Sequence, residues 1–221
     1  MMKAVIFDMD GLMFDTESAY SVVHAAMSAK RGNVFTNEIK RTLMGKRVHE
    51  VMEQLNMIWG RNEKSEDLIV EQDQELIRIY RESVDKLEGL ENLIALLSEH
   101  GIRKCIGTSS RRFLVDVLLE KHGLVHEFEF VVSGDMVTKG KPDPEIYEMC
   151  LAQLMLSGGE CLVLEDSLNG IKAGIAAGCK TCAIPSMYTK GEDFSSANLV
   201  VQTLGDRTLN DFILAAKIDV M

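Results

Sequence analysis

Three short apolar runs in this chain each end in a polar cluster, and that recurrence constrains the fold more than any other feature. Ala4-Val5-Ile6-Phe7 leads into Asp8-Met9-Asp10-Gly11, Cys105-Ile106-Gly107 into Thr108-Ser109-Ser110, and Cys161-Leu162-Val163-Leu164 into Glu165-Asp166-Ser167. A strand covered on both faces in a parallel sheet reads as such a run, and ligands of these sheets bind beyond the carboxyl ends of the strands. The three clusters are therefore expected at one sheet edge. Helical patterns follow the second and third, through Phe113, Leu114, Val117 and Leu118 and through Ile171 and Ile175.

Two acids directly after a buried strand, Asp8 and Asp10, serve folding poorly, and Gly11 permits a tight turn or close approach to a ligand. A fourth segment, Gly140-Lys141-Pro142-Asp143-Pro144-Glu145, lets Asp143 cap a helix opened by Pro144, with Lys141 just ahead of it. Each piece alone is explained by an N-cap, a turn or a surface lysine. Together and in this order they are better explained by a site.

With these motifs the chain resembles the haloacid dehalogenase superfamily, in the branch of β-phosphoglucomutase and small sugar-phosphate phosphatases. The likeness runs from Asp-Met-Asp-Gly-Leu-Met-Phe-Asp-Thr-Glu (residues 8 to 17) through Thr108 and Gly140-Lys141-Pro142-Asp143-Pro144 to Leu164-Glu165-Asp166-Ser167. It implies a doubly wound, mostly parallel α/β core (residues 1–15 and 84–221) and an inserted helical cap (16–83). It also implies Asp8 as nucleophile, Asp10 as general acid and base, Thr108 as phosphate ligand and Lys141 as charge partner. Glu165 and Asp166 would join Asp8 and Asp10 at a Mg²⁺ site, and Gly11 and Ser109 would border the substrate, a small phosphorylated metabolite.

Elementary chemistry reaches a compatible picture. A carboxylate that attacks phosphorus forms an acyl phosphate and divides hydrolysis into two easier displacements, a task that suits Asp8. Asp10 can protonate the departing alcohol and then take a proton from water. Crowding a phosphate among Asp8, Asp10, Glu165 and Asp166 costs about 4 kcal/mol per like-charged pair at ~4 Å and an effective dielectric of about 20. Lys141 offsets part of that, and a hard, oxygen-liking cation such as Mg²⁺ would offset more. Backbone N–H groups after Thr108, at a helix start, suit phosphoryl oxygens.

The 221 residues suffice for one sizeable core plus a small accessory unit, and 46% apolar with 26% charged residues is ordinary for a globular chain. A net charge of −10, from 24 basic and 34 acidic residues, disfavours nucleic acid and anionic membranes as partners. No apolar stretch of about 18 residues occurs, so neither a membrane span nor a secretory signal is expected. A cytoplasmic monomer is the expectation. The five cysteines, an odd number spread through apolar segments, suit buried thiols in a reducing compartment. Cys179 and Cys182, although spaced C-x-x-C, would face opposite ways on a strand running into Ala183-Ile184.

Residues 16 to about 83 lack proline and place Ile69, Leu76 and Tyr80 at helical spacing among charges, which marks a helical insert. Its expected hinges lie near Asp15-Thr16 and from Ser83 to Glu88. Relatives usually carry a proline just before the position of Gly89, where this chain has Glu88. Within the insert, Lys46 and Arg47 follow Gly45 between two helical patterns, and the resemblance points to them as substrate contacts. Trp59 reads as a packing anchor, and none of the five histidines has ligand spacing with carboxylates.

Close rivals separate on single residues. Phosphoglucomutases carry a histidine where Tyr20 stands and an arginine where Val48 stands. A haloacid dehalogenase needs no second Asp, and a phosphonatase replaces the acid at Asp10 with a small residue. A non-catalytic phosphate-binding module on the same scaffold would not require the intact set. The substrate is left open between sugar phosphates and a nucleotide-like phosphomonoester, because Tyr20-Ser21-Val22-Val23 and Met44-Gly45-Lys46 are similar to pseudouridine-5′-phosphatase sequences.

Overall fold

The computed structural model describes residues 2–43 and 48–215. The chain divides into two compact units, one of Met1–Asp15 with Asp85–Met221 and one of Thr16–Val84.

Among its described residues the first unit is built on six strands: β1 (Ala4–Phe7), β2 (Arg103–Gly107), β3 (Val131–Val132), β4 (Cys161–Glu165), β5 (Lys180–Ala183) and β6 (Leu199–Val200). Their order is β3-β2-β1-β4-β5-β6, and every pairing is parallel. The three apolar runs of the sequence are β1, β2 and β4, the central trio, and β1 is buried along its whole length. Phe7 pairs with Ile106 on one side and Leu164 on the other, so the residues that follow all three strands emerge at one edge. The parallel α/β expectation is met.

Helices fill the connections: α5 (Leu90–Glu99), α6 (Arg112–Lys121), α7 (Glu145–Leu154), α8 (Leu168–Ala176) and α9 (Arg207–Ala215). Because side chains alternate along a strand, β1 sends Ala4 and Ile6 to one face. There they pack with Tyr147 and Cys150 of α7, Ala173 of α8, and Cys161 and Val163 of β4. The opposite face takes Phe7, whose ring meets Phe128 edge-on at 5.5 Å, and Lys104 of β2, which reaches Ser98 and the Ile94 carbonyl of α5. Helices on both faces make the sheet doubly wound. Residues 209 to 218 read from their sequence as a closing helix; α9 starts at Arg207 and is described to Ala215, and residues 216–218 lie outside the described residues.

The second unit consists, among its described residues, of α1 (Thr16–Lys30), α2 (Asn37–Leu43), α3 (Val48–Trp59) and α4 (Ser65–Ser83). Polar side chains pin it internally. Arg31 forks onto both oxygens of Glu63, reaches Glu71 Oε2 at 2.7 Å, and lies 4.5 Å from the Trp59 ring. The indole in turn donates to Ser28 at 3.0 Å, so Trp59 anchors packing as its position suggested. Buried His24 pairs with Gln72 at 2.8 Å, tying α1 to α4, and burial holds its imidazole below the usual range. Where the chain leaves and re-enters the first unit, Leu87 N–H donates to the Met13 carbonyl at 2.8 Å and Phe14 bridges Lys86 in antiparallel fashion. Among the described residues no helix is long and apolar enough to cross a membrane.

Candidate active site

The edge where β1, β2 and β4 end gathers the acids singled out from the sequence. Asp8 follows β1, with its N–H bonded to the Leu164 carbonyl at 3.0 Å, and it is buried. Glu165 closes β4 and is fully buried, and Asp166 follows it, also buried. Oxygens of Asp8, Glu165 and Asp166 all come within 4.8 Å of one another. Gly11 sits at φ 72°, and a Cβ added there would lie closer to Asp166 Oδ2 than van der Waals contact allows, so a side chain would be strained and would press on that carboxylate.

Lys141 enters from the loop ahead of α7. Its ammonium donates to Asp8 Oδ1 at 2.5 Å, Glu165 Oε1 at 2.6 Å and the Gly107 carbonyl at 3.1 Å, an acceptor for each of its three protons. Burial opposes the lysine's charge, but Asp8 and Glu165 outweigh it and push the Lys141 pKa up. The Asp8 carboxyl is nevertheless raised well above the usual range. Burial is the largest cause, and Glu165, Asp10 and Asp166 add to it against the pull of Lys141. Among the described residues, one ammonium faces three converging carboxylates, which leaves the cluster short of positive charge.

Asp10 turns toward β2. Its Oδ2 accepts from Ser110 Oγ at 2.7 Å and Thr108 Oγ1 at 3.1 Å, and Thr108 Oγ1 also accepts the Ser110 N–H at 3.1 Å. Thr108 is fully buried, whereas Ser109 is exposed on the same loop. Asp143 accepts the Glu145 N–H at 3.1 Å in a turn that leads into α7, and α7 begins at Glu145, just past Pro144. Thus Asp8, Asp10, Gly11, Thr108, Lys141, Glu165 and Asp166 are brought together in one unit. Lys46 and Arg47 lie outside the described residues.

Four participants were not singled out from the sequence. Ser110 and Ser167 sat inside the quoted clusters, and Ser167 both caps α8, accepting from Gly170 N–H at 3.1 Å, and donates to Glu165 Oε2 at 2.9 Å. Thr189 Oγ1 donates to the Asp166 carbonyl at 2.7 Å from the loop after β5. Tyr147 Oη donates to Glu165 Oε1 at 2.6 Å. Nothing in the local sequence distinguishes Tyr147 from any apolar-face aromatic of a helix.

Residues 5–184 match the family model described as haloacid dehalogenase-like hydrolase. The chain belongs to that family. Among its relatives, the phosphorylated carbohydrates phosphatase of Thermotoga maritima is 30% identical over 80% of this chain and 82% of its own. Protein CbbY of Rhodobacter capsulatus is 32% identical over 89% of this chain and 91% of its own. Among solved structures, CbbY from Rhodobacter sphaeroides in complex with phosphate superposes with a TM-score of 0.83 at 25% identity, covering 93% of this chain and 96% of that one. The resemblance read from the four motifs is thereby borne out, and this chain is a hydrolase of that family.

The donor set also suits a divalent metal. Three buried carboxylates with one lysine form a hard oxygen site of the kind Mg²⁺ uses, completed by water and phosphate oxygens. Asp8 and Asp166 fit as side-chain ligands. Glu165 fits less directly, because its Oε1 already accepts from Lys141 and Tyr147 and its Oε2 from the Ser167 N–H and hydroxyl. The Asp10 carboxyl is turned to Thr108 and Ser110.

Proposed function

We propose that this protein hydrolyses a small phosphomonoester, a sugar phosphate or a nucleotide-like phosphate, with Mg²⁺ and through an aspartyl-phosphate on Asp8. The observation that carries the reading is the Lys141 ammonium, held 2.5 Å from Asp8 Oδ1 at the end of the central strand. It favours the ionised carboxylate against its burial and fixes one oxygen, which orients the other for attack.

In the first step an Asp8 oxygen bonds to phosphorus as the ester bond breaks, and the departing alkoxide takes the Asp10 proton. In the second, Asp10 removes a proton from water, the water oxygen bonds to phosphorus, and the Asp8–phosphorus bond breaks to release phosphate. Thr108 and the N–H groups at the start of α6 orient the phosphoryl oxygens, which requires the Thr108 hydroxyl to turn from Asp10. Mg²⁺ held by Asp8 and Asp166 supplies the charge that lets a phosphate dianion approach these acids.

The helical unit acts as a cap that selects the leaving group, with Lys46 and Arg47 as its substrate contacts. A sugar phosphate is favoured by the relative named for phosphorylated carbohydrates. Phosphate release with Mg²⁺, measured across sugar phosphates and nucleoside monophosphates, tests the reading. Turnover of at least one sugar phosphate, abolished in Asp8→Asn, is expected; no turnover of any phosphomonoester would overturn it.

A further inference from the structure

Glu165 is held more firmly than a metal ligand needs to be. Its carboxylate accepts four hydrogen bonds, about the full capacity of two oxygens. Oε1 takes Lys141 Nζ at 2.6 Å and Tyr147 Oη at 2.6 Å, and Oε2 takes the Ser167 N–H at 3.2 Å and the Ser167 hydroxyl at 2.9 Å. Behind it lies Gly170 of α8, where a Cβ would overlap the carboxylate itself. Tyr147 is fully buried, and the Lys141 ammonium also lies 5.0 Å from the centroid of its ring. The phenol and the ammonium therefore share one carboxylate oxygen, and the ring flanks the same ammonium.

We infer that Tyr147 is a positioning residue: acting through Glu165, it sets where the Lys141 ammonium stands between Glu165 and Asp8. Glu165 and Asp8 compete for one cation. The phenol proton takes up part of the charge on Oε1, which weakens the pull of Glu165 on Lys141 and leaves the ammonium shared with Asp8 Oδ1. Without the hydroxyl, Oε1 has Lys141 as its one strong donor and draws it away from the nucleophile. A hydroxyl that merely satisfied a buried tyrosine would have no such consequence. The inference rests on the reading of Asp8 as nucleophile and Lys141 as its charge partner.

Tyr147→Phe keeps the ring and its packing and removes one hydrogen bond to a charged acceptor. The expected result is a fall in kcat of about tenfold with KM changed less than about twofold, because the loss is felt where charge develops rather than where substrate binds. In a Glu165→Gln background the same change should cost less than about twofold, since residues acting through one another are not additive. A crystal structure of Tyr147→Phe, read without reference to turnover, should show Lys141 Nζ withdrawn from Asp8 Oδ1, which it meets at 2.5 Å in the native chain. Native kcat with Lys141 still on Asp8, or an undiminished effect in the Glu165→Gln background, would overturn the inference. A native protein inactive on every phosphomonoester would instead count against the proposed function, and the Lys141 displacement would still decide the positioning role.

Discussion

Lys141 Nζ lies 2.5 Å from Asp8 Oδ1, although 133 residues of chain separate them. The pair is buried, and the same ammonium holds Glu165 at 2.6 Å. Three carboxylates and one cation at the end of β1 form a cluster whose burial costs folding free energy, the kind of cluster that marks a candidate functional site. The consequences of that arrangement are open to direct measurement.

Asp8→Asn should abolish phosphate release, by at least about a thousandfold, because an amide cannot form the acyl phosphate. The fold should survive, since the amide occupies nearly the same volume and relieves repulsion with Glu165 and Asp166. Steady-state rates and thermal unfolding of the same sample check both halves. Retained turnover in uncontaminated protein would remove the covalent mechanism.

The metal makes a separate case. Chelation should stop turnover and Mg²⁺ restore it, while Ca²⁺, with longer bonds and higher coordination, should support it poorly by spoiling the alignment of the reacting atoms. Added Mg²⁺ should also raise the melting temperature, since a ligand of the native state stabilises it. Full activity in excess chelator would refute the role given to Asp166.

Thiol chemistry gives a test away from the site. All five cysteines are free and buried, and burial pushes the thiols of Cys161, Cys179 and Cys182 up to about 12. A disulfide-exchange reagent at neutral pH should label none of them in the native protein and all of them after denaturation. Unfolded thiols lose their protons from an ordinary value near 9, while the native ones hold theirs to about 12. The native state therefore binds more protons across that interval, and these groups make stability fall as pH rises through it. Denaturant midpoints measured from pH 8 upward read that slope, and native labelling at pH 7 would contradict the burial.

Substrate choice is expected to rest on the helical unit. Lys46→Ala or Arg47→Ala should depress kcat/KM on the natural substrate by about tenfold or more while sparing a small aryl phosphate, because contacts remote from phosphorus help close and orient the site. Equal losses on both substrates would assign these side chains to general phosphate attraction, and no loss on either would make them a solvated helix start.

The sequence by itself determined the parallel core and most of its working edge. Apolar runs ending in acids at Asp8 and Glu165 need nothing beyond strand periodicity and the rule that parallel sheets bind ligands at their carboxyl ends. Helical spacing likewise marked residues 16 to about 83 as an insert, because the amphipathic period is a local property. Pairing could not be read that way. That Phe7 lies level with both Ile106 and Leu164, so that Lys141 meets Asp8 and Glu165 together, follows from strand order and register, which join residues far apart in the chain. Tyr147 was invisible for the same reason: on its own helix it is one more core aromatic, and only the packing of α7 beneath β1 and β4 carries its hydroxyl to the oxygen that Lys141 also holds. The roles divide on physical grounds, since residue type and period are written along the chain while hydrogen-bond partners across a sheet exist only after burial has removed the competing water.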